Sequence, residues 1–191
     1  MSKALSNGWN SGYTMIELIM VIALVAILGT IAIPGFKYVT TSNRIATEVN
    51  GLLGDMQFAR SEAIKEGQTV TVCISTNGQT CVGNGAGGAW QLGWIVFLDT
   101  NHDQQVNNGE AVIRVQPPFT STDTFVGPVG FNALTFNRLG YAPTNQGATI
   151  NISLHDSTKN AAWTRCLAVS PIGGVTTERQ GVSTPPAPVC T

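Results

Sequence analysis

The segment Asp99-Thr-Asn101-His-Asp103-Gln-Gln105-Val-Asn-Asn-Gly-Glu110 sets oxygen donors at loop positions 1, 3, 5, 7 and 12. That is the spacing by which an EF-hand loop wraps calcium. The sharp turn at position 6 wants glycine, however, and Gln104 stands there between flanks that read as strands. A polar hairpin turn without a metal is therefore the expectation, and no cofactor is assigned. A second chemically loaded residue is Glu17, which interrupts the apolar run ending at Ile33. An ionisable group at membrane depth costs about 2.5–3.5 kcal/mol on insertion scales, so it marks a function. Catalysis has little to work with. G-x-S-x-G, P-loop and H-E-x-x-H motifs are absent, and His102 and His155 are isolated. Gly83-Asn-Gly-Ala-Gly-Gly88 fits GxGxxG on paper but lacks a strand before it and a helix after it, so it reads as a loop. No enzyme is expected.

The elements that carry these residues fall into two regimes. Tyr13 to Ile33 is 21 residues, which suits a span of roughly 20. The run is apolar all round, as a lipid-facing helix should be. Pro34-Gly35 follows, and proline removes a backbone donor and clashes with the preceding turn, so a kink or melted turn belongs there. Beyond it Tyr38, Ile45, Val49, Leu52, Met56, Ala59 and Ala63 recur at helical spacing, with Arg44, Glu48, Asp55, Arg60 and Glu62 on the other sides. This half is amphipathic and needs a partner surface. Gly67 ends it as a cap. After that the pattern turns to period two, with strands expected at 69–74, 92–98, 111–115, 133–136, 149–154 and 166–169. One helix packed on an antiparallel sheet, an α+β fold, is the simplest solution.

Composition bounds the setting. The net charge is −1 and only 11% of residues are charged, so there is no global basic footprint for nucleic acid. Cys73, Cys81, Cys166 and Cys190 allow three pairings, and proximity suggests Cys73–Cys81 and Cys166–Cys190. The second would close a loop worth about 3–4 kcal/mol in the chain-entropy model and fasten the Pro-rich tail. Disulfides point to an oxidising compartment. A zinc site is not expected, because neither histidine completes a ligand spacing.

Ser11-Gly12-Tyr13-Thr14-Met15-Ile16-Glu17 followed by a long apolar helix resembles the type IV prepilin signature. Phe58-Ala-Arg-Ser-Glu-Ala-Ile64, Gly93-Trp-Ile-Val-Phe97 and Val169-Ser-Pro-Ile-Gly173 extend the likeness to minor pilins and pseudopilins of the FimT, FimU and GspH group. The resemblance implies a leader, residues 1–12, cleaved after Gly12 by a prepilin peptidase, with N-methylation of Tyr13. It implies a filament-core helix over 13–35, an amphipathic half over 36–66 and a β-rich domain over 67–191. Glu17 would neutralise the terminal amine of a neighbouring subunit and set axial register, while Pro34 would tolerate local unwinding as helices pack. The implied partners are other minor and major pilins, the peptidase and an inner-membrane assembly platform. The chain would sit in a bacterial inner membrane, its C-terminal domain periplasmic, before entering a filament.

The reading is a minor pilin that helps initiate or cap a pilus. A GspH-like pseudopilin of a type II secretion system is the alternative. A third is a DNA-binding pilin of natural transformation. Some FimT-like proteins bind DNA through Gly-Arg-x-Arg near the C-terminus, but Gly174 and Thr176 stand where those arginines would be, so DNA is disfavoured as a partner.

Overall fold

In the computed structural model, residues 12–83, 87–107, 109–143, 147–181 and 190 are described, with the side chains of 31–34 excepted. The chain divides into two compact units, Met1–Thr40 and Thr41–Thr191. A single helix, α1, covers Met15–Glu66. Eight strands follow: β1 Val70–Ile74, β2 Trp94–Leu98, β3 Val112–Gln116, β4 Thr124–Val126, β5 Ala133–Phe136, β6 Ile150–His155, β7 Arg165–Val169 and β8 Val175–Arg179.

The expected α+β fold, one long helix with an antiparallel β domain, is what the chain adopts, with the strands divided between two sheets rather than gathered in one. The strands form two four-stranded antiparallel sheets, ordered β3-β2-β1-β5 and β4-β6-β7-β8. Two strands escaped the sequence pattern, β4 and β8. The first is only three residues long, and the second keeps Thr176, Thr177 and Arg179 exposed, so it reads as a polar tail. The expected strand at 92–98 starts late, because Trp90–Leu92 is a 3-10 turn. Gly93 then takes φ +94°, where a side chain would come within 2.6 Å of the Gln116 carbonyl oxygen.

The helix follows its sequence closely in the second unit. Ile45, Val49, Leu52, Met56, Ala59 and Ala63 are all buried, which is the stripe that a 3.6-residue period lays along one face, whereas Tyr38, expected in the same stripe, is 54% exposed. The buried residues share one core with Val70, Val72, Ile74, Trp94, Leu134 and Phe136 of the first sheet and Phe125, Ile152, Leu154 and Leu167 of the second. Gly67 at φ +65° closes the helix, the left-handed conformation that a glycine C-cap supplies without steric cost. Of the kink or melted turn expected at Pro34-Gly35, the melted turn is not formed, since α1 runs on through these residues.

Strand β1 is buried on both faces. Val70, Val72 and Ile74 enter the main core, while Cys73 joins Ile95 and Phe97 in a smaller cluster on the other face. Cys81, Val106 and Val112 pack against that second cluster. The disulfide loop and the acidic loop therefore roof the outer face of the first sheet.

Candidate functional site

At the start of α1, Thr14 occupies the cap position. Its Oγ1 accepts from the Glu17 backbone N–H at 3.2 Å, and its carbonyl takes the first helical bond from Leu18 N–H at 3.1 Å. Thr-x-x-Glu is the capping-box spacing, and an acidic side chain in the first turn complements the helix dipole. Tyr13 is 85% exposed, and Leu18, Ile22, Val25 and Leu28 each stand more than half exposed. The most apolar 18-residue window of α1 has a mean hydropathy of 2.8 with none of it buried, so α1 is long and apolar enough to cross a membrane. Residues 1–11, the rest of the expected leader, lie outside the described residues.

In the acidic loop, ligand atoms of Asp99, Asp103 and Glu110 lie within 4.8 Å of one another. Their oxygens are already acceptors for the loop's own donors. Asp99 is fully buried and takes the backbone N–H groups of Asp103 and Gln104, both at 3.1 Å, and the Thr71 hydroxyl at 2.6 Å. Glu110 takes the N–H groups of Thr100 (2.8 Å) and Asn107 (3.0 Å). The Asn107 amide, foremost, and the Gln105 N–H hold the Asp103 carboxyl below its usual range. Burial would raise Glu110, but the bonds from Asn107 and Thr100 bring it down. Gln104 adopts φ +61°, so the left-handed turn is made without glycine, and its amide Nε2 donates to Thr135 Oγ1 at 3.0 Å. Asn101 Nδ2 donates to Asp103. The arrangement is a turn closed by its own hydrogen bonds.

Cys73 is joined to Cys81 and Cys166 to Cys190, with Cα separations of 5.6 and 5.7 Å, ordinary spacings for disulfides. The second bond anchors Cys190 to β7, and Gly181 N–H also donates to the Cys190 carbonyl. The Pro-rich residues between, 182–189, lie outside the described residues, as do 84–86 of the glycine-rich loop.

The amphipathic half of α1 carries polar clamps that sequence reasoning missed. Arg44 grips the buried Asp123 with two bonds, 2.6 and 2.8 Å. Glu48 accepts from Ser121 at 2.9 Å, and burial followed by the neighbouring Asp123 charge pushes its pKa up to about 7. Asp55 receives Trp94 Nε1–H at 2.8 Å and Arg114 at 2.7 Å, while Arg114 lies 3.9 Å above the Phe58 ring. Each pair is separated by 39 residues or more, so no local pattern could reveal them. They fix the rotation of the helix against both flanking segments.

The family model for type II transport protein GspH matches residues 48–173, well over half of the chain. The chain belongs to the GspH family. It is a type IV pilin-like protein of the group that holds minor pilins and pseudopilins. Two crystal structures of the Pseudomonas aeruginosa PAO1 type IV minor pilin FimU share the fold. One aligns at 18% identity and a TM-score of 0.56, over 71% of this chain and 89% of that one. The other aligns at 19% and 0.50, over 71% and 91%. Family and fold are those of structural pilins. Within this GspH-family chain, a cleft of about 540 Å³ is lined by Thr69, Thr100, His102 and Arg138 among others. The His102 ring nitrogen there meets Thr69 Oγ1 at 2.6 Å. On β8, Thr176 and Arg179 are exposed while Glu178 is buried.

Proposed function

We propose that this chain is a minor pilin that helps initiate or cap a type IV pilus. The observation that carries the reading is the capped apolar start of α1, none of its most apolar window buried, carrying Glu17 in a chain of the GspH family. In this reading a prepilin peptidase cuts after Gly12 and the new Tyr13 amine is methylated. The apolar half of α1 holds the protein in the inner membrane with its disulfide-bonded domain in the periplasm. An assembly platform then delivers it to a filament of minor and major pilins. Glu17 neutralises a neighbour's terminal amine there, because a carboxylate among packed apolar helices without a partner is strongly penalised. Pro34 is the point at which the helix yields on packing. The work is assembly, not catalysis.

The family description favours a second reading, a pseudopilin of a type II secretion system. Every physical feature above serves both, and deletion separates them: loss of surface pili against loss of exoprotein release. DNA binding is disfavoured, since position 174 is glycine and position 176 is threonine.

The test pairs two substitutions in the full chain. Glu17→Ala should be trimmed normally yet be depleted from sheared filaments, and normal incorporation would refute the register role. Gly12→Glu should remain untrimmed at its full length, and a product beginning at Tyr13 would count against the processing site.

A further inference from the structure

Two tight turns, one from each sheet, meet over the distal end of α1. After β5, the turn Asn137–Tyr141 is held by the Asn137 side chain, whose Oδ1 accepts from the N–H groups of Leu139 (2.9 Å) and Tyr141 (3.0 Å). Between β7 and β8, the turn Ser170–Gly174 is closed by Ser170 N–H on the Gly174 carbonyl at 2.8 Å. The turns are joined by Ala142 N–H donating to the Pro171 carbonyl at 2.9 Å. They are also packed glycine to glycine, since any side chain on Gly173 would overlap the Gly140 carbonyl oxygen. A methyl group on Gly140 would come within 2.8 Å of Ile64 Cδ1 and 3.0 Å of Arg60 Nε. Helix and turns therefore form one fixed surface.

What that surface shows to solvent is unusual for turns, which are ordinarily Gly, Pro, Asn, Asp and Ser. The tips carry Leu139 and Ile172, 65% and 66% exposed, with Ile64 and Tyr141 beside them at 52% and 47%. A lone exposed leucine needs no explanation, but a contiguous patch of large apolar side chains on rigid backbone does. Its rim is cationic. Among the described residues neither Arg60 nor Arg138 enters an ion pair, while Glu62 and Glu66 on the same helix end are both engaged by Lys65.

We propose that Ile64, Leu139, Tyr141 and Ile172, rimmed by Arg60 and Arg138, dock a different pilin-type subunit through an apolar patch bordered by carboxylates. The proposal rests on the filament reading above. Charge complementarity selects the occupant: desolvating this patch leaves two guanidinium groups that a bordering carboxylate satisfies bidentately. A second copy related by two-fold symmetry would set the same arginines against each other. Two arginines around four apolar side chains do not make the extended phosphate track that nucleic acid binding uses. Because the turns are already held, little ordering cost attends docking.

The experiment places a photo-crosslinking benzoylphenylalanine at Leu139 or Ile172 of the full-length chain in cells that assemble it. Val129, 96% exposed on another turn, serves as the control. Both test positions should capture a second pilin-type chain at about tenfold the control yield, on a peptide bearing Asp or Glu, and R60E with R138E should cut that capture about tenfold. The variant's membrane level and intact disulfides serve as folding controls. Yields equal to Val129 would overturn the proposal. So would capture of nucleic acid, lipid or the same patch of a second copy, or capture indifferent to charge reversal. If the unaltered chain is in filaments and the patch captures nothing above control, docking fails and the filament reading stands. If the unaltered chain is absent from filaments, both fall.

Discussion

The two halves of α1 carry the same kind of apolar spacing and meet opposite fates. Leu18, Ile22, Val25 and Leu28 stand more than half exposed, whereas Ile45, Val49, Leu52 and Met56 are at 2% or less. The difference lies in what fills the other faces. Around the first set the remaining positions are apolar too, so no face is distinguished and the whole cylinder awaits apolar surroundings. Around the second set stand Arg44, Glu48 and Asp55, each tied by hydrogen bonds to Asp123, Ser121, Trp94 or Arg114. Uniform apolarity suits lipid or a bundle of like helices, while one stripe with polar clamps specifies a single partner and rotation. Glu17 and Glu48 express this contrast in a single residue type.

The largest test of the comparison is a truncation in each half. Leu52→Ala should destabilise the folded domain by about 3–5 kcal/mol, because it removes a fully buried side chain and leaves a cavity. Leu24→Ala, in the exposed half, should leave the domain's thermal transition in place and weaken only membrane retention. Equal losses of melting temperature from both would abolish the distinction. Next in size is the tie of Cys190 to β7. Replacing Cys166 and Cys190 together by serine should cost about 3 kcal/mol, read as a fall in the denaturant midpoint. An unchanged midpoint would mean the tail is held without it.

Much of this was legible in the sequence, for identifiable reasons. The buried stripe of α1 was readable because period and polarity agree over six residues. Strand β5 matched its expected bounds because Ala133–Phe136 sits between turn residues. Of the second sheet, β6 and β7 were legible and its two outer strands were not. Strand β8 faces solvent with threonines, and β4 earns its place only by pairing with β6, a contact with no local signature. The polar clamps and the turn-tip patch were hidden for the same reason, since each joins segments far apart in the chain. The acidic loop is a different case: its spacing carries a cation motif, and its oxygens accept from the loop's backbone N–H groups, pairings that spacing alone does not reveal.

That loop supplies the third prediction. Asp99→Ala should cost about 2–3 kcal/mol by leaving buried donors unmatched, a loss read in the melting temperature. Millimolar calcium or a chelator should leave the unaltered protein's melting temperature where it is. A rise with calcium that Asp99→Ala removes would convert the turn into a binding site.

The smallest effect is the most specific. Glu48 has a pKa raised to about 7 by burial and then by Asp123, against the ordinary 4.5, so the folded state holds its proton more tightly than the unfolded chain does. Its contribution to stability is therefore complete below about 4.5 and is lost as pH rises through about 7. The Ser121 hydrogen bond and the Arg44 charge act against the shift. In Glu48→Gln the proton is no longer needed. That variant should match the unaltered protein at pH 4 and exceed it by roughly 1 kcal/mol at pH 8, after allowance for solvent screening at a half-buried site. The reading is the difference between two melting curves taken across pH, which cancels every carboxylate the two proteins share. A difference that stays flat from pH 4 to 8 would return Glu48 to the class of solvated helix charges. One that opens between 5 and 7 would show that the clamped half of α1 holds a carboxyl in its neutral form to stay closed against the β3–β4 segment.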